Sequence, residues 1–166
     1  CDKLIEKGAD INARDGGETV LMFAIKAKME ALCDKLIDKG ADINASDRKT
    51  VLMYAIEAKM EALCDKLIEK GADINAKSDK YVLIHAVEAK LEALCIKMVE
   101  KGADVNCIYN KHVLIYAVEA KLEALCIKMV EKGADVNCKY RCHNCITWGP
   151  RFGDGDNGWY EKDAYG

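Results

Sequence analysis

Along most of the chain, apolar residues fall at offsets of three and four, and the pattern restarts every 31 residues. In the stretch 50–76, TVLMYAIEAKMEALCDKLIEKGADINA, apolar side chains stand at Leu52, Met53, Ala55 and Ile56, and again at Met60, Leu63, Cys64, Leu67 and Ile68. These offsets predict two short amphipathic helices, and the alternation of a strand is absent. Gly71 stands just past the second apolar run, where a C-terminal cap belongs, with Lys70 at the negative end of the helix dipole. The polar segment ADINASDRK comes next, rich in turn-forming Asp, Asn and Ser, before the pattern begins again. Each unit therefore reads helix, tight turn, helix, extended loop.

Cys33, Cys64, Cys95 and Cys126 keep the 31-residue step, as do Gly40, Gly71, Gly102 and Gly133; Cys1 and Gly8 lie 32 residues ahead of their counterparts because the loop RDGGE (14–18) holds one extra residue. The block EAKLEALCIKMVEKGADVNC occurs twice unchanged, at 88–107 and 119–138, which points to duplication. One such helix pair cannot bury its apolar face alone, whereas stacked pairs share one core. The pattern thus predicts an all-α fold, an α-solenoid of stacked helix-turn-helix units joined by extended loops. The repeat domain spans 1–145, with a half unit at 1–12, units starting near Thr19, Thr50, Tyr81 and His112, and a degenerate end unit from His143. Residues 146–166, with five glycines, the only proline and both tryptophans, form an irregular tail, with Trp148 a candidate cap for the last core layer.

The opening TVLM-A and the closing LC-KLI-KGADINA resemble the ankyrin repeat, matching that family's Thr-Pro-Leu-His-x-Ala start and its Leu-Leu-x-x-Gly-Ala-Asp-Val-Asn end. The chain departs from the family pattern in several places. Val20, Val51, Val82 and Val113 replace its proline, and Met22, Met53, Ile84 and Ile115 replace its histidine. Thr gives way to Tyr81 and His112, and the inter-helix turn carries Lys28, Lys59, Lys90 or Lys121 in place of glycine. The resemblance implies short hairpin-like loops and a protein–protein interaction module, a scaffold or adaptor, whose concave face and loop tips bind another protein. At the tips stand Arg14, Glu18, Arg48, Lys49, Asp79, Lys80, Asn110 and Lys111; on the first helices stand Lys26, Glu57, Glu88 and Glu119, with the aromatic series Phe23, Tyr54, His85 and Tyr116. These positions vary between otherwise near-identical units, as a recognition surface requires, although each charge taken singly also reads as a solvated face. For His85 the plain reading is half-buried packing. A structural spacer within a larger protein is the alternative.

Composition adds exclusions. A net charge of −3 over 166 residues lacks the basic footprint of a nucleic-acid binder. The longest apolar runs, such as VLIYAV (113–118), fall far short of the roughly 20 residues that span a membrane. Nine cysteines could suggest disulfides, but four of them copy one core position and read as small buried thiols. That use implies a reducing, intracellular (cytoplasmic) setting. Cys107 and Cys138 occupy equivalent loop positions, and Cys138, Cys142, His143 and Cys145 have two readings: a small zinc site or loose loop thiols. DGDNGWYE (154–161) fails the spacing of an EF-hand calcium loop. No cofactor and no catalysis are expected, since a chain of copies offers no single asymmetric constellation. The chain opens in mid-unit, so a fragment of a longer repeat protein, or self-association through an uncapped N-terminal end, is expected.

Overall fold

The computed structural model describes residues 10–137, so expectations for the half unit 1–12 up to residue 9, the Cys138–Cys142–His143–Cys145 cluster, the end unit and the tail lie outside the described residues. Within that range are eight helices in four hairpins: α1 (Val20–Lys26) with α2 (Glu30–Asp38), α3 (Val51–Glu57) with α4 (Glu61–Glu69), α5 (Val82–Glu88) with α6 (Glu92–Glu100), and α7 (Val113–Glu119) with α8 (Glu123–Glu131). The first helices α1, α3, α5 and α7 pack on one another in order, and so do the second helices α2, α4, α6 and α8. The result is a two-layered α-solenoid.

Between the layers runs one continuous core. Leu21, Met22 and Ile25 of the first unit, Leu52, Met53 and Ile56 of the second, and Leu83, Ile84 and Val87 of the third are all buried, as are Cys33, Cys64 and Cys95 behind them. Burying such a side chain is worth about 1.5–3 kcal/mol, so the copied apolar positions are what hold helices of seven and nine residues together.

The two helices of a unit end alike. After the second helix, Gly71 (φ +92°) donates to the Ile68 carbonyl at 3.2 Å and Ala72 to that of Leu67 at 2.9 Å. This is a Schellman cap, which needs a left-handed residue. After the first helix, Lys59 (φ +56°) donates to Ile56 at 3.0 Å and Met60 to Ala55 at 3.0 Å, the same cap with lysine in the glycine position. A side chain in the left-handed region costs about 1 kcal/mol, and burial of Met60 on the core offsets it. At the helix starts, Thr19 and Thr50 accept hydrogen bonds from the Met22 and Met53 amides, whereas Tyr81 and His112 make no such side-chain cap.

The loops are short hairpins, as expected. β1 (Arg14–Asp15) pairs antiparallel with β2 (Glu18–Thr19) around Gly16 and Gly17, and β3 (Ile108–Tyr109) with β4 (Lys111–His112) around Asn110, also at positive φ. The two middle loops are reduced to the bridges Ser46–Thr50 and Lys77–Tyr81.

A ladder of asparagines fixes the spacing between units. Asn75 Oδ1 accepts from the Asp104 amide of the next unit at 2.8 Å, while its Nδ2 donates to the Gly102 carbonyl at 3.1 Å. Asn44 repeats this with Asp73 and Gly71, and Asn106 with Asp135 and Gly133; Asn12 accepts from Asp42. Each aspartate also receives the amide of its own unit's asparagine, as Asp73 does from Asn75 at 2.9 Å. Asn75→Ala removes two inter-unit bonds, and urea unfolding should show a loss of about 1–3 kcal/mol, while Asn75→Asp, which keeps only the acceptor, should fall between Asn75→Ala and the parent.

Candidate functional site

The loop tips and the exposed side of the first-helix layer meet along one edge of the solenoid, and their charges are paired. Lys49 reaches Glu57, Lys80 reaches Glu88 at 2.8 Å, and Lys111 reaches Glu119, each pairing a loop-tip residue with the last residue of the adjoining helix. In the first unit the signs are exchanged: Glu18 is at the tip and Lys26 on the helix, and they too form an ion pair. A swap at both positions together was visible in the sequence as a sign of contact. The helix-borne members Glu57, Glu88 and Glu119 expose 40%, 38% and 54% of their side chains, against 29%, 23% and 21% for Lys49, Lys80 and Lys111. The outward row therefore runs basic at Lys26 and acidic thereafter.

Aromatic rings lie beneath the lysines. Lys26 Nζ stands 4.9 Å from the Tyr54 ring and 5.7 Å from that of Phe23, Lys80 lies over Tyr109, and Lys111 over Tyr116. The Tyr54 hydroxyl donates to Glu18 at 3.0 Å, and Tyr116 donates to the Tyr109 carbonyl at 2.7 Å. Burial, and then the bond to Glu18, push the Tyr54 hydroxyl up to about 12, while the bond from Lys26 holds the Glu18 carboxyl below the usual range. Tyr109 was not among the candidates; a residue whose carbonyl serves a neighbour leaves no pattern in sequence.

His85 is a correction. It is 7% exposed, where half-buried packing was expected. Its Nε2 lies 3.2 Å from Asp79 of its own loop, and its Nδ1 lies 3.6 Å from Glu57 of the preceding unit. Burial raises the Asp79 carboxyl, but bonds from Ser78 and His85 outweigh it and leave Asp79 below its ordinary range. His85 thus packs where two units meet, hydrogen-bonded within its own loop, and Phe23, 44% exposed, is the aromatic that faces outward. The tips are also tied across units, since Arg14 donates to the Ser46 carbonyl at 3.3 Å. Asn110 serves the hairpin turn, and Arg48 is exposed, its charge helping to lower Glu18.

The family model described as ankyrin repeats (3 copies) matches residues 1–78 and 52–140. The chain belongs to the ankyrin repeat family. Ankyrin repeats are generally protein–protein interaction modules and are typically non-enzymatic. No curated protein matches the chain.

The opposite face of the ankyrin stack, the second-helix layer, carries its own ladder. Lys66 pairs with Asp34 at 2.9 Å, Lys97 with Asp65 at 2.9 Å, and Lys128 with Glu100 at 3.7 Å. The hydrogen bond that Lys66 donates to Asp34 raises its ammonium, and those that Lys97 donates to Asp65 and Glu69 raise its own. Exposed pairs of this kind are worth about 0–1 kcal/mol. Among the described residues, no helix is long and apolar enough to cross a membrane, and no group of three His, Cys, Asp or Glu is placed to hold a metal.

Cysteine placement brings two further corrections. Cys107, read from sequence as a loop thiol, is 3% exposed, because the residue after Asn106 turns inward against the core, and burial pushes its thiol up to about 12. Cys126, read as a copy of the buried position, is only half-buried, because no described unit covers it. Native-state alkylation with mass mapping should therefore leave Cys107 as slow to label as Cys64 and Cys95, all three reacting only on unfolding. The double exchange Lys49→Glu with Glu57→Lys, which copies the first unit's arrangement, should unfold within about 0.5 kcal/mol of the parent, while each single change loses up to about 1 kcal/mol.

Proposed function

We propose that this ankyrin domain is a scaffold or adaptor that holds another protein on its first-helix layer and loop tips, the concave side in the family's geometry. The observation that carries the reading is where the units differ. The second helices come in only two near-identical versions, EALCDKLI in the first two units and EALCIKMV in the last two, whereas the positions of Phe23, Tyr54, His85 and Tyr116 and of Arg48, Asp79 and Asn110, which change most, gather on the opposite side. Variation on a constant support is what selection of a partner acts upon.

Two features favour tight rather than merely adhesive contact. The side chains there are already held, by ion pairs within units and by Tyr54 and Arg14 across units, so less freedom is lost on binding. Charge along the edge is balanced pair by pair, so complementarity of shape and of the outward row, more than net charge, would select the partner. The unbridged thiols of Cys33, Cys64 and Cys95, buried at a copied core position, fit a reducing intracellular compartment.

The test is proximity labelling or pull-down with two folded variants. Phe23→Ala with Glu88→Lys should weaken capture of the specific interactor at least about tenfold, equivalent to 1.4 kcal/mol, with helical circular dichroism retained. Ile127→Asp, on the exposed side of α8, should leave capture unchanged. The reverse outcome would move the docking face to the second-helix layer, and loss in neither variant would favour a structural spacer.

A further inference from the structure

The same position can be compared through four units, and the comparison isolates one open surface. Ile25, Ile56 and Val87 are all 0% exposed, yet their counterpart Val118 is 60% exposed. Ile37, Ile68 and Val99 are at most 7% exposed, whereas Val130 is 48% exposed. Cys33, Cys64 and Cys95 are fully buried, and Cys126 is not. In each earlier unit the next helix pair covers these residues. At the fourth, a groove of 330 Å³ opens instead, lined by Val118, Lys121, Leu122, Glu123 and Cys126.

Beyond Asn137 the sequence keeps the register of the repeat without completing another full unit. The same number of residues separates Asn137 from Ile146 as separates Asn106 from Ile115, so Cys145 and Ile146 fall where Leu114 and Ile115 stand one unit earlier. Trp148 then takes the place of Ala24, Ala55, Ala86 and Ala117. Those alanines are at most 3% exposed, Ala117 of the last described unit included, so a packed helix pair leaves room there for a methyl group alone. An indole does not fit inside such a packed pair, and it can instead bury about 150–250 Å² against an open apolar face. Gly149 and Pro150 then halt the helical pattern, where Val118 and Glu119 complete it in the unit before.

We propose that the end face of the fourth unit is the docking surface for the chain's own segment 145–149, with Ile146 and Trp148 closing over Val118, Cys126 and Val130. The segment is short, and its register with the stack delivers it to this groove. Occupancy by the segment leaves the end of the solenoid closed to a second copy.

The two tryptophans make this measurable. In the full chain carrying Trp159→Phe, Trp148 is the sole indole. Its emission should be blue-shifted, and acrylamide should quench it several-fold less than in urea, independently of protein concentration. Adding Val118→Asp should red-shift the emission and restore quenching while helical circular dichroism is kept; should that variant unfold, Val130→Asp serves in its place. A Trp148 as quenchable in the folded chain as in urea would overturn the proposal. Protection that appears only as light scattering reports association would overturn it as well, assigning the face to a second copy.

Discussion

Each unit can bury its apolar face only on the next unit, and this one constraint organises everything else. It requires that successive helix pairs arrive at the same separation and rotation, so that Ile25, Ile56 and Val87 meet equivalent neighbours. The asparagine ladder is the polar counterpart of that core. Asn44, Asn75 and Asn106 each bind backbone groups one unit ahead, satisfying an amide and a carbonyl that the turn leaves without helical partners. Core and ladder reinforce one register, and the glycine caps let the chain turn sharply enough to keep it.

A second consequence of stacking is that identical positions become neighbours. Like charges repeated every 31 residues would line up and repel. The chain avoids this by pairing opposite signs. On the second-helix layer the partners come from adjacent units, as in Lys66 with Asp34 and Lys97 with Asp65; on the first-helix layer they come from within a unit. The intra-unit pairs let the sign be exchanged in one unit without disturbing the rest, as Glu18 and Lys26 show. Side chains on the first-helix layer can therefore change in one unit without disturbing the next.

Much was legible from the sequence because period-3.6 patterning and glycine caps are local, and duplication repeated them. Helix pairs, loops and the core cysteines of the first three units come directly from that pattern. The candidate face was legible only as a set of positions. The sequence did not reveal that His85 lies between Asp79 and Glu57, that Tyr116 spends its hydroxyl on the Tyr109 carbonyl, or that Cys107 turns inward, since each depends on contacts that one unit's sequence does not encode.

The chain's own pattern determined the unit, its period and the order of stacking, because amphipathic helices too short to stand alone must share a core with their copies. Tertiary structure decided the environment of each copy. Val87 and Val118 are the same residue at the same place in the repeat, yet one is enclosed by a following helix pair and the other, among the described residues, is not, because burial is a property of the neighbouring unit and not of the residue.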